Sequence, residues 1–251
     1  MAYKKRFDGR KFDELRDMEA KAGVIPNANG SAYFKIGKTV AYAAVYGPKN
    51  LFPRFMQNPK GGILRVNYNM MPFAGQGGRV RPGPNRRSKE ISEVSKLALE
   101  HVLDLKEYPN AVIDVFIELP QTDAGSRCAG ITAASIALAD AGLKMKDMVS
   151  AVACGFVDDK VVVDLDYNEE AYDHIEGGVE GAMVADVPIA MVPTTGEITL
   201  LQGDGLLKLE HLKEILEKTK VACNTIKEVQ IKALKEKFKW IEMKKQISLN
   251  S

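Results

Sequence analysis

The sequence predicts an α+β fold in which mixed β-sheets pack against helices. Short apolar segments rich in β-branched and aromatic residues alternate along the 251-residue chain with segments of helical periodicity. Pairs of predicted strands lie only a short turn apart, which favours antiparallel pairing over a doubly wound parallel sheet. No Pro/Gly/Ser-rich linker divides the chain, so a single domain over residues 1–251 is expected.

The first half is expected to open with a charged segment, residues 6–23, that runs along the surface. Three strands and a helix follow, at residues 31–37, 39–47, 63–73 and 88 to about 105. A Gly-Lys turn separates the first two strands, and the third alternates apolar and polar residues. A Gly/Pro-rich loop, residues 74–87, precedes the helix, whose apolar residues recur at helical spacing.

The second half begins with a predicted strand at 111–119 and a helix at 126–142. The helix consists mainly of small residues, so it must pack closely against a sheet. The remaining predicted elements are two strands, a hairpin and a long amphipathic helix, at 150–158, 160–166, 184–205 and about 209–237. The hairpin is expected to turn at Thr195-Gly196.

The composition argues against several classes of protein. No apolar run reaches membrane-spanning length, so no membrane partner is expected. The three cysteines lie far apart and form no CxxC pair, which is typical of a reducing compartment, and we expect a cytoplasmic protein. The three histidines are scattered, which argues against a zinc site or a histidine-based triad.

The stretch TDAGSRCAG, residues 122–130, lies at the start of the small-residue helix. One interpretation is structural: Asp123 or Ser126 caps the helix, Gly125 makes the turn, and Arg127 is solvated. The other is that the turn binds an anion, because a helix start offers unpaired N–H groups and a guanidinium adds two donors in a fixed fork.

Basic side chains collect in the 74–87 loop, which contains four arginines and no acidic residue. Arg86 and Arg87 stand directly before the predicted helix, whose positive N-terminal dipole adds to their field. A solvated surface loop is the alternative, but arginine is suited to bidentate phosphate contacts and a Gly/Pro backbone lets guanidiniums converge. The loop therefore favours a polyanionic ligand.

A third basic site is Arg54, between Phe52 and Phe55. Aromatic rings and a cation together can hold single-stranded nucleic acid by stacking and phosphate contact. A loop anchored by buried phenylalanines is an equally good interpretation.

Carboxylates collect in residues 160–191. Asp164 and Asp166 are expected at a strand's end with their side chains on the same side, and Asp186 begins the next strand. Carboxylates close together can act as a general acid, because like charges raise a pKa, or can share a divalent cation. For Glu169, Glu176 and Glu180 we prefer a solvated acidic loop.

Several motifs together resemble the RNase PH superfamily, most closely the active RNase PH-like subunits of archaeal exosomes. The stretches are RFDGRKFDELR (6–16), GVIPNANGSAYFKIGKTVAYAAVYGPK (23–49), LRVNYNMMPF (64–73), PNRRSKEISEVS (84–95), ELPQTDAGSRCAGITAASIALADAG (118–142) and ADVPIAMVP (185–193). The resemblance implies an RNase PH fold like domain 2 of ribosomal protein S5. It also implies duplicated βαβ-type halves, roughly residues 20–145 and 146–240.

The resemblance also implies a function: processive 3′→5′ phosphorolysis of RNA, with inorganic phosphate as co-substrate and 3′ tailing as the reverse reaction. The expected partners are RNA, a second RNase PH-like subunit that completes a hexameric ring, and S1/KH-type cap subunits.

Each expected site residue matches a family motif. Gly125, Ser126 and Arg127 match the motif that binds the attacking phosphate. Arg86 and Arg87 match the pair that grips the 3′-terminal phosphates, and Arg54 matches a loop arginine at the entrance of the central channel. Asp186 matches the second of two aspartates that protonate the leaving 3′ oxygen or hold Mg²⁺.

The first of those aspartates is where this sequence departs from the pattern. Glu170 falls at its place, and an insertion at about residues 174–183 follows before Asp186. The extra methylene moves the carboxylate by about a bond length, and a shift near 1 Å can cost roughly 10²-fold in rate. Asp173 substitutes if the insertion shifts the register. Two hypotheses follow: a catalytic ring subunit, or a catalytically impaired subunit that binds RNA.

Overall fold

A computed structural model describes residues 3–76, 78–173, 178–179 and 181–249, with side chains as far as residue 239. The α+β prediction is confirmed. The elements are β1 (Met18–Ala22), β2 (Gly30–Ile36), β3 (Thr39–Asn50), β4 (Ile63–Met70), α1 (Arg86–Glu100), β5 (Ala111–Gln121), α2 (Ser126–Asp140), β6 (Ser150–Val157), β7 (Lys160–Val163), α3 (Tyr167–Glu170), β8 (Val184–Val192), β9 (Glu197–Leu201) and α4 (Leu209–Leu249). Short 3₁₀ turns lie at Arg54–Met56 and Leu105–Glu107.

The strands form two sheets. The first has five strands in the order β1-β2-β3-β5-β4, and the second has four in the order β7-β6-β8-β9. Among the described strands only β4 and β5 pair in parallel, and every other pair is antiparallel. The crossover from β4 to β5 passes through α1, as a parallel connection requires. The predicted mixed sheet is thus present.

Helix α2 lies between the two sheets and contacts both. Its side chains are almost all buried, which requires small residues on every face. At Gly130 an added Cβ would lie 2.9 Å from Ile117 Cγ2, so only glycine lets the helix approach β5 this closely. The close packing predicted for this helix is confirmed.

The charged opening departs from its prediction. Residues 6–23 do not simply run along the surface: Met18–Ala22 forms strand β1, and the side chains of Arg6 and Arg16 are buried. A charged side chain is buried only when it is paired, and both arginines have carboxylate partners far along the chain. The helix expected to reach about residue 105 ends at Glu100, and the strand expected to reach residue 73 ends at Met70.

Candidate active site

The turn that leads into α2, residues 123–127, has an unusual backbone. Ala124 and Gly125 are both left-handed, with φ of +58° and +60°. Gly125 is the N-cap residue, and no described side chain caps the helix, so neither Asp123 nor Ser126 has the capping role considered for it. The first N–H groups of α2 are therefore left for another partner.

Neighbouring residues hold this turn in place. Thr39 Oγ1 accepts the N–H of Asp123 and donates to the carbonyl of Ala124, both at 2.8 Å. The Asp123 carboxylate accepts from Gln76 Nε2 at 2.8 Å. The two strained residues are thus fixed from the first sheet and from the loop after β4.

The turn forms one wall of a cavity of about 170 Å³. The cavity is lined by Met70, Gly75, Gln76, Arg87, Thr122, Ala124, Gly125, Ser126, Arg127, Ala153, Tyr167, Glu170, Asp186 and Pro188. Both sheets contribute, because Met70 comes from β4 while Ala153 and Asp186 come from β6 and β8. The structure therefore brings six of the predicted site residues together: Arg87, Gly125, Ser126, Arg127, Glu170 and Asp186.

The donors on the turn are oriented by their neighbours. Tyr68 Oη donates to Ser126 Oγ at 2.9 Å, which leaves the Ser126 hydroxyl proton available to a ligand. Arg127 Nη1 donates to Gln202 Oε1 and lies 3.9 Å from a carboxylate oxygen of Glu90. The wall thus combines a hydroxyl, a guanidinium and a helix N-terminus, which is a suitable set for an anion.

Two carboxyl groups with raised pKa values line the same cavity. Burial, together with the neighbouring Asp186 carboxylate, raises the pKa of Glu170 to about 7, although the N–H of Gly125 and the charge of Arg87 oppose the shift. Burial also raises the pKa of Asp186 to about 6, against the charge of Arg127. Asp186 Oδ1 is buried without a hydrogen-bond partner among the described residues. Both groups therefore titrate near neutral pH, as a general acid should.

The two arginines before α1 occupy its first turn. Asn85 caps the helix reciprocally with Ser88, at 2.8 and 2.9 Å, so Arg86 and Arg87 are its first two residues. Cations are unfavourable at a helix N-terminus, so their placement does not serve helix stability. Both side chains are exposed, and Arg87 lines the cavity, whereas Arg86 does not.

The carboxylates at the end of β7 have structural partners. Arg16 binds both carboxylate oxygens of Asp164, and Asp166 caps α3 in a reciprocal pair with Glu169. The expectation of a solvated Glu169 was wrong, because its carboxylate is fully buried and accepts from Arg6 at 2.7 and 2.8 Å. Glu176 and Glu180 lie outside the described residues.

The other predicted residues lie away from the cavity. Arg54 is exposed in its 3₁₀ turn, and Phe52 and Phe55 are 68% and 87% exposed, so the buried-anchor interpretation of that loop was wrong. Asp173 is half-buried and is not among the described residues that line the cavity. Most of the 174–183 insertion lies outside the described residues.

Sequence reasoning missed residues that the site uses. Arg16, Tyr68 and Gln202 orient the turn, yet their partners lie 58 to 148 residues away in sequence. No local pattern signals such contacts.

Known proteins share this architecture and much of this sequence. Models of the 3′ exoribonuclease family match residues 14–144 (domain 1) and 147–222 (domain 2). The chain belongs to the 3′ exoribonuclease (RNase PH) family. Among relatives in this family, the exosome complex component Rrp41 of Methanopyrus kandleri is 48% identical over 93% of each chain. The Rrp41 component of Pyrococcus furiosus is 49% identical, over 93% of this chain and 89% of its own length.

Solved structures show the same RNase PH fold. Rice Rrp46 superimposes with a TM-score of 0.77 at 23% identity, over 91% of this chain and all of its own. A chain of the Archaeoglobus fulgidus exosome with RNA bound to the active site gives 0.73 at 24% identity, over 89% and 92%. The expected fold and the expected kinship with RNase PH-like exosome subunits are both confirmed.

Proposed function

We propose that this chain is the catalytic subunit of an archaeal-type exosome ring and degrades RNA from its 3′ end by phosphorolysis. One observation carries the proposal: a single cavity combines donors suited to an anion with two carboxyl groups whose pKa values are raised to near neutral. A hydrolytic nuclease has no need of a built site for a second anion beside the scissile phosphate.

In this proposal inorganic phosphate binds at the 123–127 turn, held by the N–H groups of α2, the Ser126 hydroxyl and Arg127. Arg87 binds the 3′-terminal phosphodiester beside it, with Arg86 on the adjoining surface. Placing the two anions side by side makes the reaction one of positioning and charge neutralisation. The positive charge of the guanidinium groups and of the backbone N–H groups offsets the electrostatic repulsion between the two anions.

An oxygen of inorganic phosphate forms a bond to the phosphorus of the last phosphodiester, and the bond from that phosphorus to the 3′ oxygen breaks. The products are a nucleoside diphosphate and an RNA one nucleotide shorter. The leaving 3′ oxygen takes a proton from Asp186 or Glu170, whose raised pKa values keep a protonated population near pH 7. The reverse reaction adds a 3′ tail.

Mg²⁺ fits the same residues. Within the described part of the chain no group of three metal-binding side chains occurs, but Mg²⁺ usually takes one or two protein carboxylates together with substrate phosphates and water. One of the two groups in its ionised form, the unpartnered Oδ1 of Asp186 or the Glu170 carboxylate, would supply such a ligand, and the other would remain the proton donor. The ion would supply positive charge for the phosphoryl oxygens.

The assembly is proposed from the relatives, which are named as exosome components. A second RNase PH-like subunit would complete a hexameric ring, S1/KH-type caps would bind one face, and Arg54 with its exposed phenylalanines would contact RNA at the channel entrance. The cytoplasmic location also stays a prediction; the three cysteines are free, buried thiols. No helix in the described residues is long and apolar enough to cross a membrane.

The alternative is a ring subunit that binds RNA without cleaving it. One observation favours it, namely the glutamate in place of the first aspartate, followed by an insertion. The test is to incubate uniformly labelled RNA with the chain, alone and with its ring partner, in phosphate or in sulfate. Sulfate matches the charge and shape of phosphate but is a poor nucleophile. We expect shortening and nucleoside diphosphates in phosphate only; binding without shortening would establish the alternative, and nucleoside monophosphates would indicate hydrolysis.

A further inference from the structure

Arg16 is not among the described residues that line the cavity, yet it joins the 123–127 turn, which does, to Asp164, a residue just before the cavity-lining helix α3. Its Nε and Nη2 donate to the two carboxylate oxygens of Asp164 at 2.9 and 2.7 Å, and its backbone N–H donates to the same group at 2.8 Å. Its Nη1 donates to the carbonyl of Asp123. One buried side chain thus binds the 123–127 turn on one side and the end of β7 on the other.

Both of these segments have a backbone that needs restraint. Asp164 has φ of +56°, and Ala124, next to the carbonyl that Arg16 binds, has φ of +58°. A left-handed conformation costs a residue other than glycine roughly 1–3 kcal/mol and persists only where its surroundings fix it. Arg16 contacts the first of these residues directly and holds the residue before the second.

We infer that Arg16 is a positioning residue, which fixes the 123–127 turn relative to the segment that carries Glu170 and so sets the geometry of the phosphate site. The inference rests on the proposed function. Only arginine suits this position, because its planar fork presents separate donors to two partners at once, whereas a lysine ammonium is a single point.

Arg6 provides a matched control. It is also buried, also comes from the segment before β1, and also makes a bidentate pair, with Glu169, while donating to the carbonyls of Val163 and Asp164. Among the described residues Arg6 makes no hydrogen bond or ion pair with the 123–127 turn. Loss of a buried bidentate arginine–carboxylate pair is therefore common to both variants, but loss of the hydrogen bond to the turn is specific to Arg16.

The test compares Arg16→Lys and Arg6→Lys in the assembled enzyme. Both variants should lower Tm. Arg16→Lys should raise the KM for inorganic phosphate about tenfold or more, the effect of losing a charged hydrogen bond, and leave the KM for RNA within about twofold. Arg6→Lys should leave the phosphate KM within about twofold. An unchanged phosphate KM in Arg16→Lys, or an equal rise in both variants, would overturn the inference.

A second variant covers the case in which Arg16→Lys does not fold. Thr39→Val keeps the shape of a buried side chain and removes both hydrogen bonds that hold the turn from the other side. It should raise the phosphate KM in the same way, and an unchanged value would contradict a turn that depends on such restraints.

Binding separates this inference from the proposed function. If the wild type shortens no RNA, the function fails, and the rise in Tm caused by inorganic phosphate still decides the role of Arg16. A rise seen in the wild type and in Arg6→Lys but lost in Arg16→Lys would support positioning. Equal rises, or none in the wild type, would overturn it.

Discussion

Glu169 and Glu170 are neighbours in the chain and have opposite environments. The Glu169 carboxylate is fully buried and saturated, with hydrogen bonds from Arg6, from Tyr3 and from the N–H of Asp166. The Glu170 carboxylate faces the cavity, and burial without an equal set of donors raises its pKa to about 7. A buried carboxylate with a full set of hydrogen-bond donors stabilises the fold, whereas one that lacks some of these donors is available to react with a ligand.

The largest effect should come from the least satisfied carboxyl group. Asp186→Asn keeps the shape and removes the ionisable function, so RNA should still bind while phosphorolysis falls by roughly 10²–10⁴, the usual contribution of a general acid. Single-turnover cleavage and gel-shift affinity on the same RNA measure the two quantities. Wild-type rates in the variant would remove Asp186 from the mechanism.

Glu170, the second carboxyl group in the cavity, is tested in parallel with Asp186. Glu170→Gln should lower the rate comparably, while Asp173→Asn should be near-neutral, because Glu170 and not Asp173 lines the cavity. The reverse ranking would mean that Asp173 is the working residue, and near-neutral results for all three would leave an RNA-binding subunit.

The next largest effect should come from removing the Arg127 guanidinium, which is proposed to bind the attacking phosphate. Arg127→Ala removes one charge-assisted donor pair from a closed site, which should lower phosphorolysis by about 10²–10³ and leave RNA affinity nearly unchanged. Initial rates at several phosphate concentrations, with RNA affinity measured separately, provide the check. A variant that lost RNA affinity yet kept phosphate-dependent turnover would show that the 123–127 turn binds RNA instead.

Substituting glutamine for each of the two adjacent glutamates should change the free energy of unfolding in opposite directions. Glu169→Gln breaks a buried pair and leaves Arg6 uncompensated, so it should lower the free energy of unfolding by about 3–5 kcal/mol. Glu170→Gln should raise it at pH 8, because the folded pKa near 7 lies above the unfolded value. At about 1.4 kcal/mol per pKa unit, the difference between about 7 and 4.5 gives a gain of roughly 3–4 kcal/mol.

The pH dependence follows from the same shift. A raised carboxyl pKa stabilises the fold at low pH and loses that stabilisation as the pH rises from the unfolded value towards 7, so the benefit of Glu170→Gln should fall to under about 1 kcal/mol at pH 5. Denaturant unfolding at pH 5 and pH 8 measures this. Destabilisation by both glutamine variants at pH 8 would show that Glu170 is also structural.

The smallest effect concerns the exposed arginines. Arg86→Glu with Arg87→Glu should weaken RNA binding several-fold and reduce the slope of log affinity against log salt by roughly 1.4, since two fewer phosphates are neutralised. Lys232→Glu with Lys235→Glu on α4 makes the same charge change at exposed positions and is the control. Equal slopes in the wild type and the arginine variant would make the 74–87 loop a solvated surface.

The sequence was most informative where a pattern is local. The strands and α2 follow from alternation and small residues, and the motifs of the resemblance indicated six residues that meet at one cavity, although they span positions 87–186. The buried arginines could not be predicted in this way. Arg16 and Asp164 are 148 residues apart, and a charged segment is usually exposed, so only the folded chain reveals the pairing.

The order in which these partners are synthesised has a consequence for the living cell. Arg6 leaves the ribosome 163 residues before Glu169, which at roughly 5–20 residues per second is a delay of about 10–30 s. The cavity residues from both sheets, and the segment before β1 that binds them together, must therefore all be synthesised before the cavity can form. A nascent chain therefore has no assembled site until translation has passed Asp186, which lines the cavity.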